Sequence, residues 1–165
     1  MTFVKDLKDG MDGEHIVSEL LTPCGITCNT NDNTKKRSEF DLACKFPKGD
    51  LSFTIEVKYD IYAAKSGNIA IEVYNPRTCK PSGLMITQAD LWIQIADGGV
   101  YCVGREILKH YVGCHTPKKV IERTGDGNAT IYLYRMMPEV FVRLDTLDTV
   151  SRLAKIIQTL GKHNG

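Results

Sequence analysis

The segment DLSFTIEVKYD, residues 50–60, constrains the fold more than any other part of the chain. Apolar and polar side chains alternate along it without interruption, and a period of two residues is that of a β-strand with one apolar and one polar face. Glu56 and Lys58 therefore point to the same face, about 7 Å apart along the strand at ~3.3 Å per residue. Such a pair is either an ordinary surface ion pair on an exposed strand or part of an active site.

A second alternating segment, EFDLACKF at residues 39–46, precedes the first and is joined to it by PKGD. The two segments predict an antiparallel hairpin, with Asp41 on the same polar face as Glu56 and Lys58. Two carboxylates on adjacent strands can share one divalent cation, and oxygen ligands suit Mg²⁺ or Mn²⁺ rather than zinc. A neighbouring lysine can orient or deprotonate a water, or stabilise charge on a phosphate.

An amphipathic helix is predicted over residues 12–22, with Asp12 as its N-cap and an apolar stripe at helical spacing. Glu14 falls at the edge of that stripe, within about 20° of Leu21 at ~100° per residue. A carboxylate at this edge can reach a metal site on the sheet. His15 lies toward the polar side of the helix, so we expect it in solvent.

The rest of the chain continues the alternation of helices and strands. A third strand is predicted at residues 69–75, and if it pairs beside Glu56, its Glu72 adds a carboxylate near the metal. Two strands turning at residues 97–99, a helix after them, a hairpin within 118–136 and a C-terminal helix follow. This order predicts a single α/β domain over residues 1–165, with a mixed sheet flanked by helices.

Composition excludes few classes of function. The net charge is +1, so no global field attracts a polyanion. No apolar run approaches the ~20 residues of a membrane span, and the N-terminal MTFVKDLKDG lacks a signal-peptide core, so we expect a cytoplasmic location without membrane contact. The six cysteines lack zinc-site spacing and are expected to be reduced thiols.

At the hairpin and the helix before it, the chain resembles the PD-(D/E)xK nuclease superfamily. The motif is FD at 40–41 and EVK at 56–58, preceded by the helix GEHIVSELL. The order is most similar to small archaeal Holliday-junction resolvases and phage junction endonucleases, which also begin with a helical glutamate. The resemblance covers roughly residues 10–110, and Phe40 replaces the family's proline.

The resemblance implies a restriction-endonuclease-like fold with an αβββαβ core, to which the C-terminal hairpin and helix are additions. It implies a Mg²⁺-dependent DNA endonuclease, with Mn²⁺ able to substitute, whose products carry 5′-phosphate and 3′-hydroxyl ends. Asp41, Glu56 and the backbone carbonyl of Val57 would bind the metal. Lys58 would be the catalytic cation, and Glu14 would position a second metal or the water.

Partners and alternatives follow from the same resemblance. We expect DNA to be bound by loop residues flanking the site, namely Lys35, Lys36, Arg37, Arg77, Lys80 and Ser82. For Ser82, as for Thr87 and Asp90, a turn or capping role is the alternative. We expect a homodimer acting on branched DNA, in the host cytoplasm if the chain is phage-encoded. A non-catalytic nucleic-acid-binding module on the same fold, an exonuclease and an RNA nuclease remain open.

The C-terminal helix offers a candidate dimer surface. It is rich in apolar side chains, namely Leu144, Leu147, Val150, Leu153, Ile156, Ile157 and Leu160. These are more than one narrow stripe requires. The alternative is that the helix covers its own sheet.

Overall fold

The computed structural model describes residues 3–31, 39–48, 50–123, 128–135, 138–145 and 148–161. The helices are α1 (Phe3–Leu21), α2 (Ala63–Ser66), α3 (Arg105–Cys114) and α4 (Thr149–Gly161), with 3-10 turns at Thr22–Cys24 and Gly83–Met85. The strands are β1 (Thr27–Thr30), β2 (Leu42–Lys45), β3 (Ser52–Asp60), β4 (Asn68–Asn75), β5 (Lys80–Pro81), β6 (Leu91–Ala96), β7 (Gly99–Gly104), β8 (Lys119–Arg123), β9 (Ala129–Arg135) and β10 (Val142–Arg143). Helices and strands are interspersed, as predicted for the α/β class.

The first sheet has the strand order β1-β2-β3-β6-β7-β10 and is mixed. β2 and β3 form the predicted antiparallel hairpin, in which Leu42 lies opposite Ile55. On its other side β3 is parallel to β6, with Glu56 opposite Trp92. The strand β3 is therefore central in this sheet, with a hydrogen-bonded neighbour on each side.

The second sheet has the order β5-β4-β9-β8 and is antiparallel throughout. It contains the predicted hairpin of β8 and β9, whose turn at 124–127 lies outside the described residues. β4 pairs with β5 and β9, so the expectation that it could pair beside Glu56 is wrong. The sequence could not show this, because β4 and β9 are more than 50 residues apart and long-range pairing leaves no local signal.

The first sheet has a hydrophobic core on each face. One core lies between this sheet and the helices α1 and α4. It includes Val17, Leu21, Ile55, Val57, Ile93, Leu153 and Ile157. The other joins it to the second sheet and α3 and includes Ile69, Ile71, Val73, Trp92, Val103, Leu108 and Val112. The polar face of the hairpin is thus on the side of the second sheet, which covers part of it.

The first helix is longer than predicted. It begins at Phe3 rather than at residue 12, so Asp12 lies inside α1 and is not its N-cap. Gly13, a poor helix former, is tolerated for packing: a Cβ built on it would lie 3.2 Å from Tyr59 Cβ and 3.3 Å from Val57 Cγ1. The glycine therefore lets α1 lie close against β3.

The C-terminal helix covers its own sheet. The helix α4 begins at Thr149, so Leu144 precedes it. Leu153 and Ile157 of α4, together with Leu144, are buried in the core, and Ile156 packs against it, which is the alternative stated for the proposed dimer surface. The side chains of Leu147, Val150 and Leu160 lie outside the description. No helix in the described part of the chain is long and apolar enough to cross a membrane.

Candidate functional site

Three of the predicted site residues come together where β2 begins. We call Asp41, Glu56 and Lys58 the carboxylate–lysine cluster. Lys58 Nζ donates a hydrogen bond of 2.6 Å to Glu56 Oε1, and the Val57 N–H donates one of 2.7 Å to Asp41 Oδ2. Burial raises the pKa of Asp41 to about 6, with the Glu56 charge as a further cause, so the two carboxylates are close enough to repel.

The backbone explains how Asp41 reaches β3. The register of the hairpin ends at Leu42 opposite Ile55, so Val57 lies beyond the last pair. The Asp41 N–H donates to Ile55 C=O, and the Asp41 C=O accepts from Asn31 N–H. These backbone bonds hold Asp41 in place, and its side chain then accepts from the Val57 N–H just beyond the last backbone pair of β2 and β3. Because a strand residue directs its N–H and C=O to one edge, the Val57 carbonyl is directed toward Asp41.

Glu56 is buried, with 8% of its surface exposed. Its second oxygen, Oε2, accepts a hydrogen bond of 3.0 Å from the Thr87 hydroxyl, which is itself 2% exposed. That hydroxyl also lies 3.0 Å from the Glu39 carbonyl oxygen. Each oxygen of Glu56 thus has a donor, which fixes the carboxylate, and its burial argues against an ordinary surface ion pair.

Lys58 remains the cation of the cluster. Burial alone would lower its pKa, but the charges of Glu56 and Asp41 outweigh burial and raise the pKa overall, with a smaller contribution from Glu72. Its Nζ lies 5.6 Å from the centre of the Trp92 ring, within the range of a cation–π contact. The ammonium group is therefore held charged between carboxylates and an aromatic face, while 37% of the side chain stays exposed.

The cluster suits a hard cation better than a soft one. Carboxylate and carbonyl oxygens are the ligands of Mg²⁺, which retains several waters and so needs few protein groups. Asp41 Oδ1 accepts no hydrogen bond from the described residues, so it can serve as a ligand beside Glu56 and the Val57 carbonyl. Across those same residues, no three His, Cys, Asp or Glu side chains form a group that could hold a metal. The fit rests on two carboxylates and one carbonyl.

Glu14 and Glu72 belong to elements other than the hairpin, namely α1 and β4. Glu14 follows Gly13 on α1, which packs on the face of β3 opposite to Glu56, and its role stays a prediction. Glu72 belongs to the second sheet, where its neighbours Ile71 and Val73 are buried in the core shared with the first sheet. Its charge contributes to the raised pKa of Lys58. A Cβ on Gly83 would lie 2.4 Å from the Glu72 carbonyl oxygen; the turn after β5 therefore packs tightly on this part of β4.

The residues expected to bind DNA fall into three groups. Arg77 and Lys80 are exposed on the connection between β4 and β5. Lys35, Lys36 and Arg37 lie outside the described residues. Ser82 does not offer its amide to a phosphate, because that N–H donates to the Val73 carbonyl. Its hydroxyl is buried.

Sequence reasoning missed the connection between Thr87 and Glu56. The sequence predicts a phosphate contact or a turn for Thr87. Its bond to Glu56 depends on the parallel pairing of β3 with β6, which brings the segment before β6 to the cluster. A polar residue just before a strand was the only available signal. The Asp90 carboxylate accepts from the Thr54 N–H and hydroxyl and ties β3 to the start of β6, which is a role that neither the phosphate-contact expectation nor the turn expectation contained.

Comparisons of the chain with protein-family models, with curated proteins and with solved structures found no match. The α/β class, with a mixed sheet flanked by helices, therefore rests on the coordinates alone. What the chain does has to be inferred from the chemistry of the carboxylate–lysine cluster.

Proposed function

We propose that the chain is a Mg²⁺-dependent nuclease that hydrolyses phosphodiester bonds in DNA at the carboxylate–lysine cluster. The observation that carries the proposal is the placement of Asp41 beside Glu56, with Lys58 2.6 Å from a Glu56 oxygen. Burying Asp41 next to a second carboxylate costs free energy, as its raised pKa indicates, with burial the larger cause and the Glu56 charge the smaller. Perturbed groups of this kind are concentrated at functional sites.

The order of the elements supports a more specific proposal, that the chain has a restriction-endonuclease-like core. The helix α1, the antiparallel strands β1, β2 and β3, and then β6 parallel to β3 follow the order expected of a restriction-endonuclease-like core. Between β3 and β6, where the expected core has one helix, the chain instead has the four-residue helix α2, the strands β4 and β5 and a 3-10 turn, which departs from that pattern. In this proposal the hairpin of β8 and β9 and the helix α4 are additions to the core.

The chain's own residues divide the work as follows. Asp41, Glu56 and the Val57 carbonyl would hold the cation, which would supply polarisation of the phosphate and an activated water. Thr87 fixes the orientation of Glu56 through its hydrogen bond. Lys58 places a positive charge next to the carboxylates, where it can stabilise the charge that develops on the phosphate.

The test is cleavage of labelled DNA by the purified protein with Mg²⁺ or Mn²⁺, using linear duplex, single strand, flap and four-way junction, and RNA as a separate arm. Glu56→Gln and Lys58→Met should each reduce cleavage at least ~100-fold, as loss of an electrostatic group in an active site does. Glu19→Gln is the matched control, because Glu19 is exposed and pairs with His15. A wild-type rate in Glu56→Gln would overturn the assignment.

The remaining outcomes separate the alternatives. DNA binding without cleavage of any substrate would favour the non-catalytic module, and cleavage of RNA alone would favour an RNA nuclease. End-labelled and circular substrates distinguish an exonuclease from an endonuclease. We further propose a cytoplasmic homodimer acting on branched DNA, since a two-fold axis supplies the two cuts that a junction needs. A monomer in sedimentation that nicks plain duplex as fast as junctions would contradict this.

A further inference from the structure

We propose that Cys28 and Cys44 form a thiol–disulfide site that is oxidised to a cross-strand disulfide by low-molecular-weight disulfides. Cys28 lies on β1, an edge strand of the first sheet, and Cys44 lies directly opposite it on β2. The proposal does not depend on nuclease activity, because it rests on strand register and thiol chemistry. It concerns a side of the hairpin that the carboxylate–lysine cluster does not use.

The hydrogen-bond pattern of β2 shows which kind of pair the two cysteines make. The Phe46 N–H donates to the Leu51 carbonyl of the neighbouring chain segment leading into β3. Backbone groups alternate in direction along a strand, so those of Cys44, two residues away, also point toward β3. Facing β1, Cys44 is therefore in a non-hydrogen-bonded pair with Cys28.

A second bond supports this assignment. The Asn31 N–H donates to the Asp41 carbonyl, three residues along each strand from the cysteine pair, so the odd-numbered positions of β2 are those that bond to β1. In a non-hydrogen-bonded pair the Cα atoms are about 4.5 Å apart, which lies inside the range of about 4.4–6.8 Å that a disulfide spans. A cross-link can form without rearranging the strands.

The two thiols differ in a way that suits thiol–disulfide exchange. Cys28 is half-buried at the sheet edge, and Cys44 is 2% exposed. The neighbouring Cys44 thiol lowers the pKa of Cys28, against the effect of partial burial, whereas the Cys28 thiol and burial both raise the pKa of Cys44. Cys28 is thus the thiol that an oxidant can reach and the one that more readily becomes the thiolate, which is the attacking species.

The exchange balances in two steps. The Cys28 thiolate attacks one sulfur of an oxidised small disulfide, forming a mixed disulfide and releasing one small thiolate, which takes up a proton. Cys44 then loses its proton and attacks the Cys28 sulfur, releasing the second small thiol. Two protein thiols are oxidised while one small disulfide is reduced to two thiols.

Other cysteines lack this arrangement. Cys102 is fully buried, and burial raises its pKa to about 12. Cys79 and Cys114 are exposed, and in the described ladders neither lies opposite another cysteine. Cys24 is half-buried in the 3-10 turn after α1, outside the strands, and its thiol donates to the Leu20 carbonyl. The pair on β1 and β2 is therefore the one we expect to cross-link.

The experiment is to equilibrate the reduced full-length protein in buffers of oxidised and reduced glutathione, alkylate the remaining thiols, and map the peptides by mass spectrometry. We expect a Cys28–Cys44 cross-linked peptide that has lost two hydrogens and that dithiothreitol restores to free thiols. Both cysteines alkylated in a fully oxidised glutathione buffer, or adducts confined to Cys79 and Cys114, would overturn the proposal. This measurement needs no variant, so a folding defect cannot obscure it.

Two variants then test the order of attack. In Cys44→Ala, Cys28 should accumulate as the mixed disulfide with glutathione, because nothing resolves it. In Cys28→Ser, Cys44 should stay unmodified, because it is buried. Cys114→Ser is the control and should cross-link like the wild type. Glutathione on Cys44 in Cys28→Ser, with Cys28 unmodified in Cys44→Ala, would contradict the assigned roles.

Discussion

The substitution Asp41→Asn tests the electrostatics of the cluster without any assay of activity. The pKa of Asp41 is about 6 in the folded protein, against an ordinary value of 3.8, because burial and the Glu56 charge disfavour its ionised form. The unfolded chain therefore ionises at lower pH than the folded protein does. The folded protein therefore loses stability as the pH rises from about 4, where the unfolded chain ionises, to about 6, where the folded protein does.

The magnitude follows from the difference between the two pKa values. Each unit is worth about 1.4 kcal/mol, so ionised Asp41 lowers the free energy of unfolding by about 2–3 kcal/mol once both states have ionised. Asn keeps an oxygen for the Val57 N–H but carries no charge. We expect Asp41→Asn to be more stable than wild type by about 2–3 kcal/mol at pH 8 and by less than about 1 kcal/mol near pH 4.

The measurement is urea unfolding of both proteins at a series of pH values, with Asp12→Asn, an exposed position on α1, as the control. Comparing variant with wild type at each pH removes the contribution of groups that titrate alike in both. Added Mg²⁺ should stabilise the wild type at pH 8 and have little effect on Asp41→Asn. A stability difference between Asp41→Asn and wild type that does not change with pH would refute the reasoning.

Thr87→Val should reduce cleavage about 10–100-fold, as loss of an outer hydrogen-bond partner of a metal ligand does, while Thr87→Ser keeps the hydroxyl to Glu56 and most of the rate in the same assay. Gly83→Ala should lower the free energy of urea unfolding by at least ~2 kcal/mol, since its φ is 52° and its Cβ would meet the backbone of β4. Gly67→Ala, with φ 63° in open space, should cost only about 1 kcal/mol, and equal costs would contradict the steric argument. Removal of divalent cations with a chelator should abolish cleavage, and Ca²⁺ should bind without supporting turnover. Full activity in the chelator would exclude the metal site.

The hairpin could be predicted because its information is local. Uninterrupted alternation in β3 and in β2 predicts which residues share a face, and the register, which ends at Leu42 opposite Ile55, brings Asp41 just before β2 close to Glu56. The alternation does not reveal what covers each face. Glu56 is buried where Thr87 and Lys58 bond to it, and the second sheet on that side depends on the pairing of β4 with β9, which are distant segments.

The first helix and Thr87 show the same limit at smaller scale. Asp12 predicts a helix start because Asp is a favoured N-cap residue, and the Gly13 that follows it is a poor helix former. In the structure Gly13 is favoured by its contact with β3, and tertiary packing outweighs the local preference. The bond from Thr87 to Glu56 likewise spans 31 residues and exists only because β6 lies beside β3.

The strand β6 has a consequence for how the chain opens. All six of its residues are buried, with Ile93 in the core beneath the helices and Trp92 in the core beneath the second sheet. The two faces of β6 are therefore shielded by two different cores, and both must open before β6 is fully exposed to solvent. Backbone amides in β6 should therefore exchange with solvent deuterium only through global unfolding, and those of the edge strand β1 through much smaller local openings.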